Sequence, residues 1–284
     1  MVSVVLAMLM GADSAPIKLV KEYSKQELPI ERISGLSVVG STWVVGGIRG
    51  LFIGSPGMTW KKVTDQSIRQ VVTAKNEAWA LYGNGSVDKL DVAKDQLYYD
   101  VFHGAVKRPW VGSISKIGDS VCFGGSGGWF EKAGGKSLAE NYPAALASKN
   151  VTCNATLGSE KLAGTQDGLF VISGGQTKRL GFGDGLSDVW ITSLVQKGSS
   201  VIVGTYVGGT YSYANHKLTP LESPSKKIRN MIVWRNQLVL GTLEGSWIQN
   251  GKSWTPLTKG ETTFLTMINN SLFVGTPVSV TSYN

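Results

Sequence analysis

Short runs of apolar residues recur along the chain, and each stops at glycine, often followed by threonine. Val201-Ile202-Val203 leads into Gly204-Thr205, Leu238-Val239-Leu240 into Gly241-Thr242, and Leu272-Phe273-Val274 into Gly275-Thr276. Gly164-Thr165 opens another such copy and looser ones start at Gly46, Leu81 and Gly124, so successive copies lie 35, 43, 40, 40, 37 and 34 residues apart. Within residues 190–222 the pattern resolves into four β-type runs. They are separated by Lys197-Gly198-Ser199, a tight turn over 205–208, and Ala214-Asn215-His216. Runs of this length joined by turns of two to four residues predict four antiparallel strands. The second run is continuously apolar, as expected of a strand covered on both faces. No segment carries apolar residues at helical spacing.

A repeat of roughly 40 residues built this way predicts a radial array of small sheets. Seven copies fill almost the whole chain. The expectation is therefore an all-β, seven-bladed β-propeller over residues 15–284, as a single domain. The last copy supplies only three strands, ending at residues 280–284, whereas residues 17–23 (IKLVKEY) precede the first copy with no sheet of their own. Placing that spare strand as the fourth of the last blade closes the ring and removes an open sheet edge. The recurring glycine is expected to adopt positive φ or to permit close backbone approach. The threonine after it is expected to bond the turn backbone.

The stretch FGDGLSDVWITSLVQKGSSVIVGTYVGGTYSYA, residues 182–214, resembles the repeat of two-component-regulator propellers. That resemblance implies the propeller fold, used in extracellular sensor regions or as free-standing bacterial propellers. Gly251-Lys252-Ser253-Trp254 and Gly57-Met58-Thr59-Trp60 are similar to the turn of the Asp-box repeat of sialidase-like propellers, though both lack its Asp. Propellers host many unrelated activities, so neither resemblance fixes a function.

Charge and leader composition narrow the setting. A formal charge of +8 suits an anionic partner, but the basic residues are spread over all repeats without a run of five or six like charges. Residues 2–10 form a short apolar stretch followed by small residues suited to cleavage after Ser14. Residues 1–14 are thus expected to be a signal peptide, although the first Lys is Lys18. The stretch is too short for a membrane span. The expected location is extracellular or periplasmic, with the cytoplasm as the alternative. Cys122 and Cys153 match no zinc pattern and are expected in neighbouring blades, with their bonding state open. His103 and His216 are expected at the surface of different blades, which argues against a catalytic or metal pair; no cofactor and no metal are expected.

One constellation carries candidate chemistry. Arg32, Arg69, Arg108 and Arg229 sit at the approaches to inner strands, Arg49 lies in a turn between second and third strands, and Trp110 and Trp190 hold matching approach positions. The repeat register places them around one mouth. Guanidinium forks suit carboxylate, sulfate or phosphate, and indole faces suit sugar rings or cations. The bland reading is that Glu31, Asp184, Asp188 or Glu244 pairs with each Arg and pins a loop.

The expected function is a non-enzymatic, monomeric binding or interaction module. Its partner is an anionic small molecule, a glycan or a protein rather than nucleic acid. The alternatives are a sialidase-like or lyase-type glycan enzyme, which needs Asp167, Asp184, Asp188 and Tyr206 to converge on the arginines, and an intracellular scaffold binding nucleic acid.

Overall fold

In the computed structural model, residues 17–24, 27–29, 32–102, 110–117, 120–126, 128–132, 139–140, 144–146 and 149–284 are described. Their strands form seven four-stranded antiparallel sheets, numbered here in chain order. The first strands are Ile33–Val39 in sheet 1, Ile68–Ala74 in sheet 2, Val111–Ile117 in sheet 3 and Val151–Leu157 in sheet 4. They are Ile191–Lys197 in sheet 5, Ile228–Trp234 in sheet 6 and Phe264–Ile268 in sheet 7. In sheets 1 to 6 the four strands follow one another as hairpins. In sheet 7 the order is Phe264–Ile268, Ser271–Gly275, Val280–Tyr283 and then Leu19–Tyr23 from the other end of the chain. Leu19 pairs with Tyr283 and Tyr23 with Val280. Beyond the ladder, the Lys18 and Asn284 backbones exchange N–H···O bonds of 2.8 and 2.9 Å.

The core is divided into layers between consecutive sheets rather than gathered in one centre. Leu162, Leu169 and Val171 of sheet 4 pack against Ile191, Val201 and Val203 of sheet 5. The same kind of layer joins Phe264, Phe273 and Val280 of sheet 7 to Ile33, Leu36 and Val45 of sheet 1. This explains the uninterrupted apolar second strands: Val201 and Val203 are fully buried because each face of the strand meets another sheet. Among the described residues the only helical pieces are two three-residue 3-10 turns, Ala144–Leu146 and Phe182–Asp184. This is an all-β fold consistent with a β-propeller.

The glycine of the recurring Gly-Thr pair acts through space, not through backbone conformation. None of Gly164, Gly204 or Gly241 has positive φ. A Cβ on Gly204 would stand 2.7 Å from Ile228 Cγ2, so glycine here admits the first strand of the next sheet. Thr205 behaves as expected: its buried hydroxyl donates to the Gly209 carbonyl (3.0 Å) and accepts from the Gly208 N–H (2.9 Å). Thr165, Thr242 and Thr276 repeat this arrangement.

Cys122 and Cys153 do lie in neighbouring sheets, and neither is in a disulfide. Burial pushes the Cys153 thiol up to about 12.

Candidate ligand-binding mouth

Six of the seven first strands carry an irregularity at the same place. The pairing register slips between Ile33 and Gly35, Ile68 and Gln70, Val111 and Ser113, Val151 and Cys153, Ile191 and Ser193, and Ile228 and Asn230. A bulge re-aims the side chain it carries. The skipped residues are Ser34, Arg69, Gly112, Thr152, Thr192 and Arg229, and all six line one open cavity of about 490 Å³. The cavity continues into a tunnel of about 760 Å³ walled by the first strands of all seven sheets.

At three of these positions the side chain ties neighbouring sheets together. Ser34 Oγ donates to the Ile68 carbonyl (2.5 Å), Thr152 Oγ1 to that of Ile191 (2.5 Å), and Thr192 Oγ1 to that of Ile228 (2.8 Å). Arg69 and Arg229 replace that hydroxyl with a guanidinium. The hydroxyl-to-carbonyl tie is absent at these two positions and a cation enters the cavity instead.

The two cations differ. Arg229 Nη2 lies 3.6 Å from Glu261 Oε1. Arg32 Nη2, from the approach to sheet 1, lies 3.0 and 2.9 Å from the two oxygens of the same carboxylate. Glu261 therefore links sheets 6, 7 and 1. Arg32 reaches it from a left-handed backbone, φ 49°, which is unfavourable for a residue with a Cβ. Arg69 has no carboxylate partner among the described residues. Its guanidinium carbon sits 5.4 Å from the Trp110 ring centroid, a cation–π contact. The surrounding walls lower its pKa from the ordinary value by desolvation, and it stays charged at neutral pH. Trp110 is held against the turn of sheet 2, where a Cβ on Gly85 would stand 2.4 Å from its ring. The Trp110 backbone N–H also donates to Ser126 Oγ at 3.1 Å.

Across the cavity, Trp190 stacks on Tyr206 with centroids 4.5 Å apart and planes inclined by 24°. Asp188 sets that pair: its carboxylate accepts from the Trp190 N–H (3.1 Å) and the Val207 N–H (2.7 Å). Tyr206 N–H completes the clamp on the Trp190 carbonyl at 2.9 Å.

The structure thus brings Arg32, Arg69, Trp110, Trp190 and Arg229 to one cavity. Arg49 is exposed in the turn beside Ile48 and does not line it. Arg108, Glu31 and His103 lie outside the described residues. The acid that holds two of the arginines is Glu261, not one of those expected: Asp184 accepts from the Gly181 N–H (2.9 Å) and Glu244 pairs with Lys227 (3.1 Å). Asp167 joins Lys149 (2.5 Å) and Arg179 (2.8 Å), and the Lys149 hydrogen bond leads in holding its carboxyl below the usual range. Asp167, Asp184 and Asp188 therefore do not converge on the arginines. His216 is exposed, 3.0 Å from Glu160, in the last turn of sheet 5. Among the described residues no group of three His, Cys, Asp or Glu side chains could hold a metal.

Glu261 and the lining residues Asn150, Gln166, Asn230 and Thr263 were not among the expected site residues. Asn150 could have been found, because it aligns with Trp110 and Trp190 immediately before a first strand. Glu261 had one signal, as an acid in an approach segment.

No family model matches the chain. No curated protein sequence matches it either. Solved structures do. The extracellular domain of a hybrid two-component system from B. thetaiotaomicron matches with TM-score 0.78 at 12% identity, over 94% of this chain and 42% of that one. The extracellular domain of a one-component system from the same organism gives 0.71 at 14%, over 90% and 38%. PorZ, a surface component of the type-IX secretion system of Porphyromonas gingivalis, gives 0.65 at 15%, over 89% and 36%. At these identities the likeness is one of fold, and the chain spans about two fifths of the length of these neighbours. It is consistent with repeats of the two-component-regulator type.

Proposed function

We propose that the chain is a seven-bladed β-propeller, closed by the pairing of Leu19–Tyr23 with Val280–Tyr283, that binds an anionic ligand at its mouth without transforming it. The cyclic order of the core layers and the shared tunnel support the blade count and the closure. The observation that carries the binding reading is Arg69: a guanidinium re-aimed by a bulge into the cavity, resting on an indole, with no acid of its own. A guanidinium preorganised on an indole favours a carboxylate or sulfate more than one that must first be ordered. The stacked Trp190–Tyr206 pair offers an aromatic wall to the rest of the ligand. The fold neighbours, being extracellular or surface components, support an extracellular or periplasmic setting. In this reading residues 1–14 act as the export signal and the domain is a monomer. Among the described residues no helix is long and apolar enough to cross a membrane.

The test is calorimetric titration with hexuronates and sulfated sugars beside their neutral counterparts. Binding should require the negative charge, fall about tenfold or more in Arg69→Ala, and leave the probes chemically intact by mass spectrometry. Equal binding of the neutral sugars, indifference to Arg69→Ala, or turnover of a probe would each overturn the reading.

A further inference from the structure

The turns joining second to third strands open around the mouth, and four of them present aliphatic side chains to solvent. Ile48, Val207, Leu243 and Val278 are 48%, 51%, 36% and 64% exposed. Phe182, in the link between sheets 4 and 5, is 65% exposed. Nothing in the backbone demands this: none of the five has positive φ, and the same turn in sheet 4 is the polar pair Gln166-Asp167. At the other end of the sheets, the described turns are built from residues such as Gly158, Gly198, Asn236 and Asn270, and Met58 is the exposed apolar exception among them. Leu19, Val20, Tyr98, Tyr99 and Met267 are exposed as well, but not on turn tips. Among the described residues, exposed aliphatic turn tips are thus gathered around the cavity that holds Arg69, Trp110, Trp190, Tyr206 and Arg229. Trp, Tyr and Arg are the residue types that dominate binding at the centre of protein–protein interfaces. An apolar collar around such a centre has the composition of a docking surface.

We propose that the mouth face docks a protein partner through a loop with an acidic tip: the carboxylate enters the cavity toward Arg69, and apolar flanks of the loop cover the collar. The proposal rests on the anion-binding reading above and commits that site to a protein occupant. Charge complementarity gives the sign. The cavity lining carries three arginines, Arg32, Arg69 and Arg229, against one acid, Glu261, which Arg32 and Arg229 already share. Arg69 makes no ion pair among the described residues, so the cavity keeps a cation unmatched, while the exposed acids Asp65 and Glu222 lie outside it. A sugar gains little from aliphatic turn tips, which lack both ring faces and hydrogen-bonding groups. The collar is also rigid before binding. Val207 is held by Asp188, and buried threonine hydroxyls fix the turns carrying Leu243 and Val278. Docking therefore orders little chain.

The experiment pans the full chain against a phage library of short disulfide-closed loops and measures the affinity of the enriched loops, alongside the hexuronate titration. Enriched loops should carry Asp or Glu between apolar residues. Their affinity should fall about tenfold or more in Arg69→Ala and in the double variant Leu243→Ser/Val278→Ser, with hexuronate binding unchanged in the double variant. Loops without an acid, or loops indifferent to the double variant, overturn the proposal. Hexuronate binding with no enriched loop overturns the docking and leaves the anion site standing, whereas loss of both removes the anion site as well. Collar-dependent flotation with phosphatidylglycerol vesicles in place of loop binding would assign the face to a membrane and overturn the protein partner.

Discussion

At the end of the sheets away from the mouth, chain reversal is a matter of backbone conformation. Lys75, Arg235, Asn236, Asn269 and Asn270 all occupy the left-handed region, as do Gly158, Gly198 and Gly251. At the mouth end the corresponding work is done by buried hydroxyls: Thr165, Thr205 and Thr242 are fully buried, and each bonds across its own turn. The difference separates cost from freedom. A left-handed turn restricts which residues can stand in it, because a Cβ is penalised there. A turn braced by a threonine from below leaves its tip residues free, and those tips carry Tyr206, Leu243 and Pro277. Glycines such as Gly168 and Gly209 still hold positive φ at the base of these mouth turns, but the braced tips themselves can vary in chemistry more than the left-handed positions of the far face.

The largest expected effect comes from removing a brace. Thr242 Oγ1 donates to the Gly245 carbonyl (3.0 Å) and accepts from the N–H groups of Glu244 (3.0 Å) and Gly245 (3.2 Å). Thr242→Val keeps the shape and strands the two N–H groups, while Thr262 Oγ1 still serves the Gly245 carbonyl (2.9 Å), so urea unfolding should show a loss of about 3 kcal/mol. A loss below about 0.5 kcal/mol would mean that the turn holds itself and would break the comparison. Next, Arg69→Ala should cost about 1.5–3 kcal/mol of hexuronate binding with the melting temperature barely changed. A fall in melting temperature with binding intact would make Arg69 a structural residue.

Smaller effects sharpen the contrast between the faces. Lys75 holds φ 56° on the far side, and Lys75→Gly should stabilise by about 0.5–1 kcal/mol, readable in the same urea titration. Leu243→Ser at the mouth should change stability by no more than about 0.5 kcal/mol. The smallest concerns the tunnel wall. The fold holds the Cys153 proton, with the thiol raised from 9.0 to about 12 by burial, so its contribution to stability is intact below pH 9 and is lost as pH climbs toward 12. Iodoacetamide at pH 8 should leave Cys153 unmodified in the folded chain and alkylate it in urea. Alkylation in the folded chain would show that the wall opens.

The repeat was legible because burial on both faces leaves a continuous apolar signature such as Val201-Ile202-Val203, and because hairpin turns write themselves in Gly and Asn. The pairing of residues 19–23 with 280–283 was legible by subtraction, one spare strand against one missing. The role of Gly204 was read only in part, since sequence does not separate a left-handed glycine from one that yields space to Ile228. The mouth was legible as a set of arginines at repeated positions, but not as a circuit. Register says that Arg32 and Arg229 approach the same opening. It does not say that Glu261, whose approach segment differs in length from the others, will reach both. The bulges were hidden for the same reason: Ile-Arg-Gln, Val-Thr-Cys and Ile-Arg-Asn read as ordinary strand, and the one-residue slip that turns Arg69 inward depends on pairing with Tyr82 and Leu81.

The strand Leu19–Tyr23 is synthesised about 260 residues before its only ladder partner, Val280–Tyr283. Sheet 7 cannot be completed until all six other sheets have been made. Until then Leu19–Tyr23 has no ladder partner, and the sheet 1 face formed by Leu36 and Phe52 lacks the Phe264 and Phe273 side chains that cover it. Contacts of such long sequence separation form slowly, and the waiting species exposes an unpaired strand and apolar surface. Pairing Leu19–Tyr23 with Val280–Tyr283 is therefore expected to be a late, slow step of folding. A circular permutant whose new ends fall between Gly174 and Gly175 would make Leu19–Tyr23 and Val280–Tyr283 neighbours in synthesis and move that delay to sheet 4.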